Sequence, residues 1–122
     1  MEEIDLGFSR LRFQPGYVIA ETCTGADIDV EHHQKVIDEL EKRNEGDYAM
    51  ILDEVNDYSI RFSTLIECRK NKRLKCMAVI AYRASTTEVV AVSAASIVKP
   101  VKLFHSLPAA QEWVLAQLDQ DA

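Results

Sequence analysis

Apolar and polar residues alternate with a period of two near the start of the chain. The alternation covers residues 9–13, and a second extended run covers residues 17–23. Pro15 and Gly16 lie between the two runs and form a typical turn pair. The pattern therefore predicts an antiparallel β-hairpin.

The period changes to that of a helix after Asp29. The positions on its apolar face are Val30, His33, Val36, Ile37 and Leu40. Acidic residues precede basic ones at i,i+4 on the opposite face, in the pairs Glu31–Lys35, Asp38–Lys42 and Glu39–Arg43. This pattern predicts a helix that Asp29 caps and that residues 44–46 end.

Two continuous apolar runs predict strands that are buried on both faces of a parallel sheet. They cover residues 48–52 and 77–82. A helix is predicted after each run, over residues 63–70 and 88–98. The serine and glutamate of the string "STTE" favour a helix start for the second, although its β-branched residues would by propensity prefer a strand.

The end of the chain predicts one more strand and one more helix. The strand covers residues 101–104, and Ser106 is expected to cap the helix that follows. The apolar stripe of this helix is Ala110, Trp113, Val114 and Leu118.

The order of these elements is strand, strand and helix, followed by three strand and helix pairs. It predicts the α/β class, with a single domain over residues 1–122 and a core over residues 9–118. We expect a mixed sheet, with an antiparallel start and a parallel centre, and four helices packed on it.

Composition and charge narrow the classes of protein that fit. The chain has 122 residues, is 48% hydrophobic and carries a formal net charge of −6, which disfavours nucleic acid. Its apolar runs are far shorter than the roughly 20 residues of a transmembrane helix. The acidic start is unlike a signal peptide, and three separated cysteines predict reduced thiols, so we expect a cytoplasmic protein.

No catalytic or metal-binding motif occurs in the sequence. His32 and His33 are neighbours on a helix and point about 100° apart, so they cannot share a metal ion. Asp53 and Asp57 stand where a receiver domain carries its phosphate-accepting aspartate, but such a domain also needs an acidic pair after its first strand. This chain has only Glu21 there, so receiver-like signalling is the weakest alternative. Because the sequence has no catalytic or metal-binding motif, we expect neither an enzyme nor a cofactor.

A basic string begins at the end of the helix predicted over residues 63–70. It consists of Arg69, Lys70, Lys72, Arg73 and Lys75. Cations at a helix C-terminus complement the helix dipole, which explains the string in structural terms. The alternative is a patch, formed by Arg69, Lys70, Lys72 and Arg73, that binds an anion or an acidic partner. Because no aromatic residues interleave the string, stacking on nucleic acid is not expected.

Four stretches of the chain, taken together, are similar to a known family: "YVIAETCTGADI", "YAMILDEVNDYSIRFSTLIE", "CMAVIAY" and "KPVKLFHSLPAAQEWV". They resemble the STAS family of anti-sigma-factor-antagonist-like domains, and most closely its bacterial SpoIIAA-like branch. The resemblance implies a STAS-like fold and a non-enzymatic signalling module that docks on partner proteins. The partner-binding residues that we predict are Asp53, Asp57, Tyr58, Ser59, Phe62 and Thr64. A homodimer is compatible with the sequence, although no feature requires one.

Ser63 is the candidate for a phosphorylation switch. The resemblance implies a phosphorylated serine just before the helix that follows the central strand, and Ser63 lies at or next to that place. The family motif is similar to D-S-S-G, whereas this chain reads "RFST", without the aspartate and the glycine. Ser63 is also a good N-cap, which is the interpretation that the residues favour.

A related subset of domains with the STAS-like fold resembles lipid-transfer domains, which suggests a second function. It would hold a small apolar ligand or lipid in a cavity between helices and sheet, near Phe62, Leu65 and residues 89–98. A docking module should have a filled core and an exposed patch over residues 57–64. A carrier should enclose an apolar pocket of several hundred cubic ångströms.

Overall fold

A computed structural model describes residues 2–22, 27–53, 59–60, 70–80 and 100–119 of the chain. The strands in these ranges are β1 (Glu3–Asp5), β2 (Ser9–Gln14), β3 (Tyr17–Thr22), β4 (Asp27–Ile28), β5 (Tyr48–Asp53), β6 (Ser59–Ile60), β7 (Leu74–Ile80) and β8 (Val101–Phe104). The helices are α1 (Val30–Arg43) and α2 (Leu107–Asp119).

Six strands form one mixed sheet in the order β1-β2-β3-β5-β7-β8. β1, β2 and β3 pair in antiparallel fashion. β3, β5, β7 and β8 run parallel to their neighbours. The α/β class and the mixed sheet, with its antiparallel start and parallel centre, agree with the prediction.

The prediction of four helices is wrong, because the described ranges contain two helices, α1 and α2. The other two predicted helices, at residues 63–70 and 88–98, fall almost entirely outside those ranges. The prediction for residues 88–98 rested on a capping signal set against β-branched residues, which by propensity prefer a strand. β7 begins at Leu74, three residues before the predicted start of the strand at Met77.

The sheet separates two apolar clusters, and each helix that is described packs into one of them. Val36, Ile37 and Leu40 of α1 lie in the cluster that includes Leu11 and Met50. On the opposite face, Ala110 and Val114 of α2 are fully buried in the second cluster. β5 is buried at all six of its positions. This two-sided burial explains its continuous apolar sequence.

α1 begins and ends where the sequence predicts. The carboxylate of Asp29 accepts a hydrogen bond from the backbone N–H of His32 at 2.9 Å, and the His32 ring reaches back to the Asp29 N–H. Arg43 pairs with Glu39 at 2.7 Å, as predicted, whereas Lys42 pairs with Glu39 at 3.1 Å instead of with Asp38. The Asp29 cap and the Glu39–Arg43 pair are therefore confirmed.

Three short strands were not predicted. β1 adds an antiparallel edge beside β2. β4 and β6 form a separate parallel ladder of two residue pairs, Asp27 with Ser59 and Ile28 with Ile60. Strands of two or three residues are too short to show a period in the sequence. They form only by pairing with other segments, so no local pattern predicts them.

Candidate functional site

The carboxyl edge of the parallel strands carries two acidic side chains in register. Asp53 ends β5 and is paired with Glu21 of β3 on one side and with Ile80 of β7 on the other. Asp53 is 6% exposed, and Glu21 is half-buried. Since side chains alternate along a strand, both carboxylates lie on the same sheet face as Ile19 and Ile51, the face that α2 covers.

The β4–β6 ladder joins the two connections that leave this edge. β4 belongs to the connection between β3 and α1, and β6 belongs to the segment that follows β5. Ser59, one of the predicted partner-binding residues, is the backbone partner of Asp27. The ladder therefore places Ser59 and Ile60 beside the connection between β3 and α1.

The structure describes two residues of the predicted site. Asp53 ends β5, and Ser59 lies in β6, which pairs with β4. The remaining predicted residues of this site lie outside the described residues: Asp57, Tyr58, Phe62, Ser63 and Thr64. Leu65 and residues 89–98, which would line the predicted apolar cavity, lie outside them as well.

The residues of the basic string differ in their exposure and in their contacts. Lys70 and Lys72 are exposed, and Arg69 lies outside the described residues. Arg73 donates hydrogen bonds to the carbonyl of Asn44 at 2.6 Å and to that of Gly46 at 3.0 Å. The guanidinium group of Arg73 thus ties the start of β7 to the turn between α1 and β5.

Tyr48 lies at the centre of this contact between strand and turn. Its hydroxyl accepts a hydrogen bond from the side chain of Asn71 at 2.9 Å and donates one to Glu41 at 3.3 Å. Burial raises the pKa of the Tyr48 hydroxyl above its ordinary value. Sequence reasoning missed this network, because its members come from three separate segments and share no local motif.

The two adjacent histidines have structural roles. His33 is 7% exposed and packs on the sheet side of α1, as predicted from its position on the apolar face. His32 is half-buried, and its ring centroid lies 4.4 Å from that of Phe8. In the part of the chain that the structure describes, no group of three or more histidine, cysteine or acidic side chains could hold a metal ion.

A cleft of about 710 Å³ opens at the opposite, amino edge of the sheet. Gly16 and Asp47, which precede β3 and β5, form one wall of this amino-edge cleft, and the last turn of α2 forms the other. It is open to solvent and far from the carboxyl edge along the strands. It is therefore distinct from the predicted binding loop.

Comparison with known proteins gives no match to a family model, to a curated protein or to a solved structure. Neither α1 nor α2 is long and apolar enough to cross a membrane. The resemblance to the STAS family therefore stays a prediction that rests on the stretches of sequence quoted above.

Proposed function

We propose that the chain is a non-enzymatic, STAS-like regulatory module of the cytoplasm that docks on a partner protein through the carboxyl edge of its sheet. The observation that carries this proposal is the β4–β6 ladder, which ties the segment after β5 to the segment after β3. In open α/β sheets, ligands bind outside the carboxyl ends of the strands, in the connections that leave them. The ladder holds two such connections side by side.

We expect the partner to carry positive charge, because the chain has a formal charge of −6 and the predicted loop includes Asp57. Complementary charge would speed the association and suppress binding of acidic proteins. Asp57, Tyr58 and Phe62 are the residues of the loop that we expect to contact the partner.

Phosphorylation of Ser63 would change this surface. A phosphate adds almost two negative charges, which should strengthen docking on a positively charged partner. The proposal therefore includes Ser63 as a regulatory site, on the basis of its place in the sequence.

A charge reversal in the loop tests the docking surface. Asp57→Lys should reduce recovery of the partner in affinity capture from a cell extract by about tenfold, since it reverses a contact charge. Asp38→Lys makes the same charge change on the exposed side of α1, where Asp38 accepts a hydrogen bond only from Gln34 among the described residues. Equal recovery by both variants would contradict the proposed surface.

The switch has a separate test. Captures with the unmodified chain, Ser63→Asp and Ser63→Ala should recover the partner to different extents, with Ser63→Asp differing most from the unmodified chain. If all three recover the same proteins equally, Ser63 is not a switch. Native mass spectrometry of the purified chain adds a check on the whole proposal, because a co-purified lipid would favour the carrier function instead.

A further inference from the structure

The amino-edge cleft combines an apolar floor with an acidic rim. Leu115 of α2 is 50% exposed and is one of two large apolar side chains in the described ranges that are exposed. Leu118 lies beside it on the wall of the cleft. Asp47 and Asp119, both exposed, stand at the two sides of the opening. Two leucines and two carboxylates therefore line the same open cleft.

The floor of the cleft is built by a close approach between the hairpin turn and α2. Gly16 has a φ of +85°, and a Cβ atom at this position would lie 3.3 Å from Cδ1 of Leu118. A larger residue at position 16 would require the end of the Leu118 side chain to shift by a few tenths of an ångström, and the positive φ would strain its backbone. Glycine therefore suits this close contact between the turn and α2.

The end of α2 adds to the negative potential of the cleft. The last turn of α2 contains no basic residue and ends at Asp119. A helix C-terminus carries a partial negative charge of about half an elementary charge, which Lys or Arg commonly offsets. Here an acidic residue takes that place, and Asp47 lies across the opening. Of the cations that precede β7 at this edge, Arg73 is bonded to the carbonyls of Asn44 and Gly46, and Lys72 is exposed.

We propose that the amino-edge cleft binds a basic amphipathic segment of a protein partner, with an apolar side chain on Leu115 and lysine or arginine side chains at Asp47 and Asp119. Charge complementarity selects this occupant, because carboxylates and a helix C-terminus attract cations and repel acidic segments. The open shape of the cleft suits a peptide segment better than a small molecule, which is normally enclosed. The inference goes beyond the proposed function, since it concerns the opposite edge of the sheet.

A synthetic peptide provides the test. The probe is a fluorescently labelled amphipathic helix of roughly 14 residues, built from leucine and lysine, and its counterpart replaces every lysine with glutamate. Fluorescence anisotropy titrations of the full chain should show binding of the lysine peptide only, and the affinity should fall as salt rises above about 0.1 M. Absence of binding by the lysine peptide, or equal binding of the glutamate peptide, would overturn the proposal.

Matched variants separate the cleft from the general negative charge of the chain. The pair Asp47→Asn and Asp119→Asn should weaken binding of the lysine peptide by roughly tenfold, because two exposed ion pairs are lost. The control pair Glu31→Gln and Asp38→Asn removes the same charge from α1 and should change the affinity less than about twofold. Equal weakening by both pairs would show attraction to the whole surface and would overturn the site.

Leu115→Ala tests the apolar contact. Because Leu115 is 50% exposed, this substitution should leave the fold intact, which circular dichroism would verify. It should weaken binding of the lysine peptide by about fivefold. An unchanged affinity would overturn the role of the apolar floor. None of these variants alters the carboxyl edge, so capture of the partner in the Asp57→Lys experiment should be unaffected by them.

Discussion

The guanidinium carbon of Arg73 lies 5.2 Å from the centre of the Tyr48 ring. Arg73 precedes β7 and Tyr48 begins β5, so the contact joins the starts of two neighbouring parallel strands. The same guanidinium group also donates to two backbone carbonyls of the preceding turn. A residue that the sequence assigns to a basic string is therefore part of the framework that holds the turn between α1 and β5.

Replacing Arg73 should destabilise the fold. Arg73→Met should lower the free energy of unfolding by about 2 kcal/mol, because two carbonyls lose a charged hydrogen-bond donor. Lys72→Met removes a neighbouring exposed cation and should change stability by less than about 0.5 kcal/mol. Urea unfolding, followed by circular dichroism, measures both values. Similar small effects for the two variants would show that the contacts of Arg73 contribute little.

Arg12 should respond in the opposite direction. Its Nε atom is buried and has no hydrogen-bond partner within the described residues. The register places Glu3 opposite Arg12, but the carboxylate of Glu3 contacts Arg10 instead, at 3.4 Å. An unsatisfied buried donor is costly, whereas the stem of the side chain covers apolar surface. Arg12→Met keeps the stem and should raise the free energy of unfolding by about 1 kcal/mol.

Arg10→Met is the matched control for Arg12→Met, since it changes the same residue type on the same strand and the same face. It removes an exposed ion pair and should alter stability by less than about 0.5 kcal/mol. Destabilisation by Arg12→Met of more than that amount would mean that the guanidinium group finds a favourable partner in solution.

Acid should weaken the fold in part through Glu39. The hydrogen bonds from Arg43 and Lys42 lower the pKa of Glu39 below its ordinary value of 4.5. The unfolded chain then binds the proton more readily, so this stabilisation is complete above pH 4.5 and is lost as the pH falls through the lower pKa of the folded state. Glu39→Gln should therefore flatten the dependence of stability on pH below that value.

Thermal unfolding at a series of pH values measures this effect. Glu112→Gln changes an exposed glutamate of α2 and serves as the control, which should keep the pH dependence of the unmodified chain. A Glu39→Gln protein that loses stability with acid as steeply as the unmodified chain would contradict the role of this group.

The sequence predicted those elements whose periods are long enough to be read locally. The hairpin of β2 and β3, α1 with its Asp29 cap, and α2 after Ser106 each combine a periodic run with a turn or cap signal. β1 and the β4–β6 ladder were missed, because two or three residues carry no period and pair only through tertiary contacts. The basic residues that precede Met77 interrupt the apolar pattern, so the sequence did not predict that β7 begins at Leu74.

The candidate site was predictable only in its position. A buried apolar run that ends in an acidic residue placed Asp53 at the carboxyl edge, where the structure has it. Ser59 pairs with Asp27 because two connections lie side by side in the fold, and no local sequence pattern predicts this pairing. The amino-edge cleft was missed for the same reason, since Gly16, Asp47 and Leu115 come from three separate parts of the chain.

Hydrogen–deuterium exchange of the chain, alone and with the partner that it captures, tests the central claim most directly. The docking surface at the carboxyl edge predicts slower amide exchange in the complex over residues 53–60 and at the paired residues 27–28, with unchanged exchange on the exposed side of α1. Unchanged exchange over 53–60 and 27–28, with protection confined to α1 or to the amino edge, would contradict the proposed function.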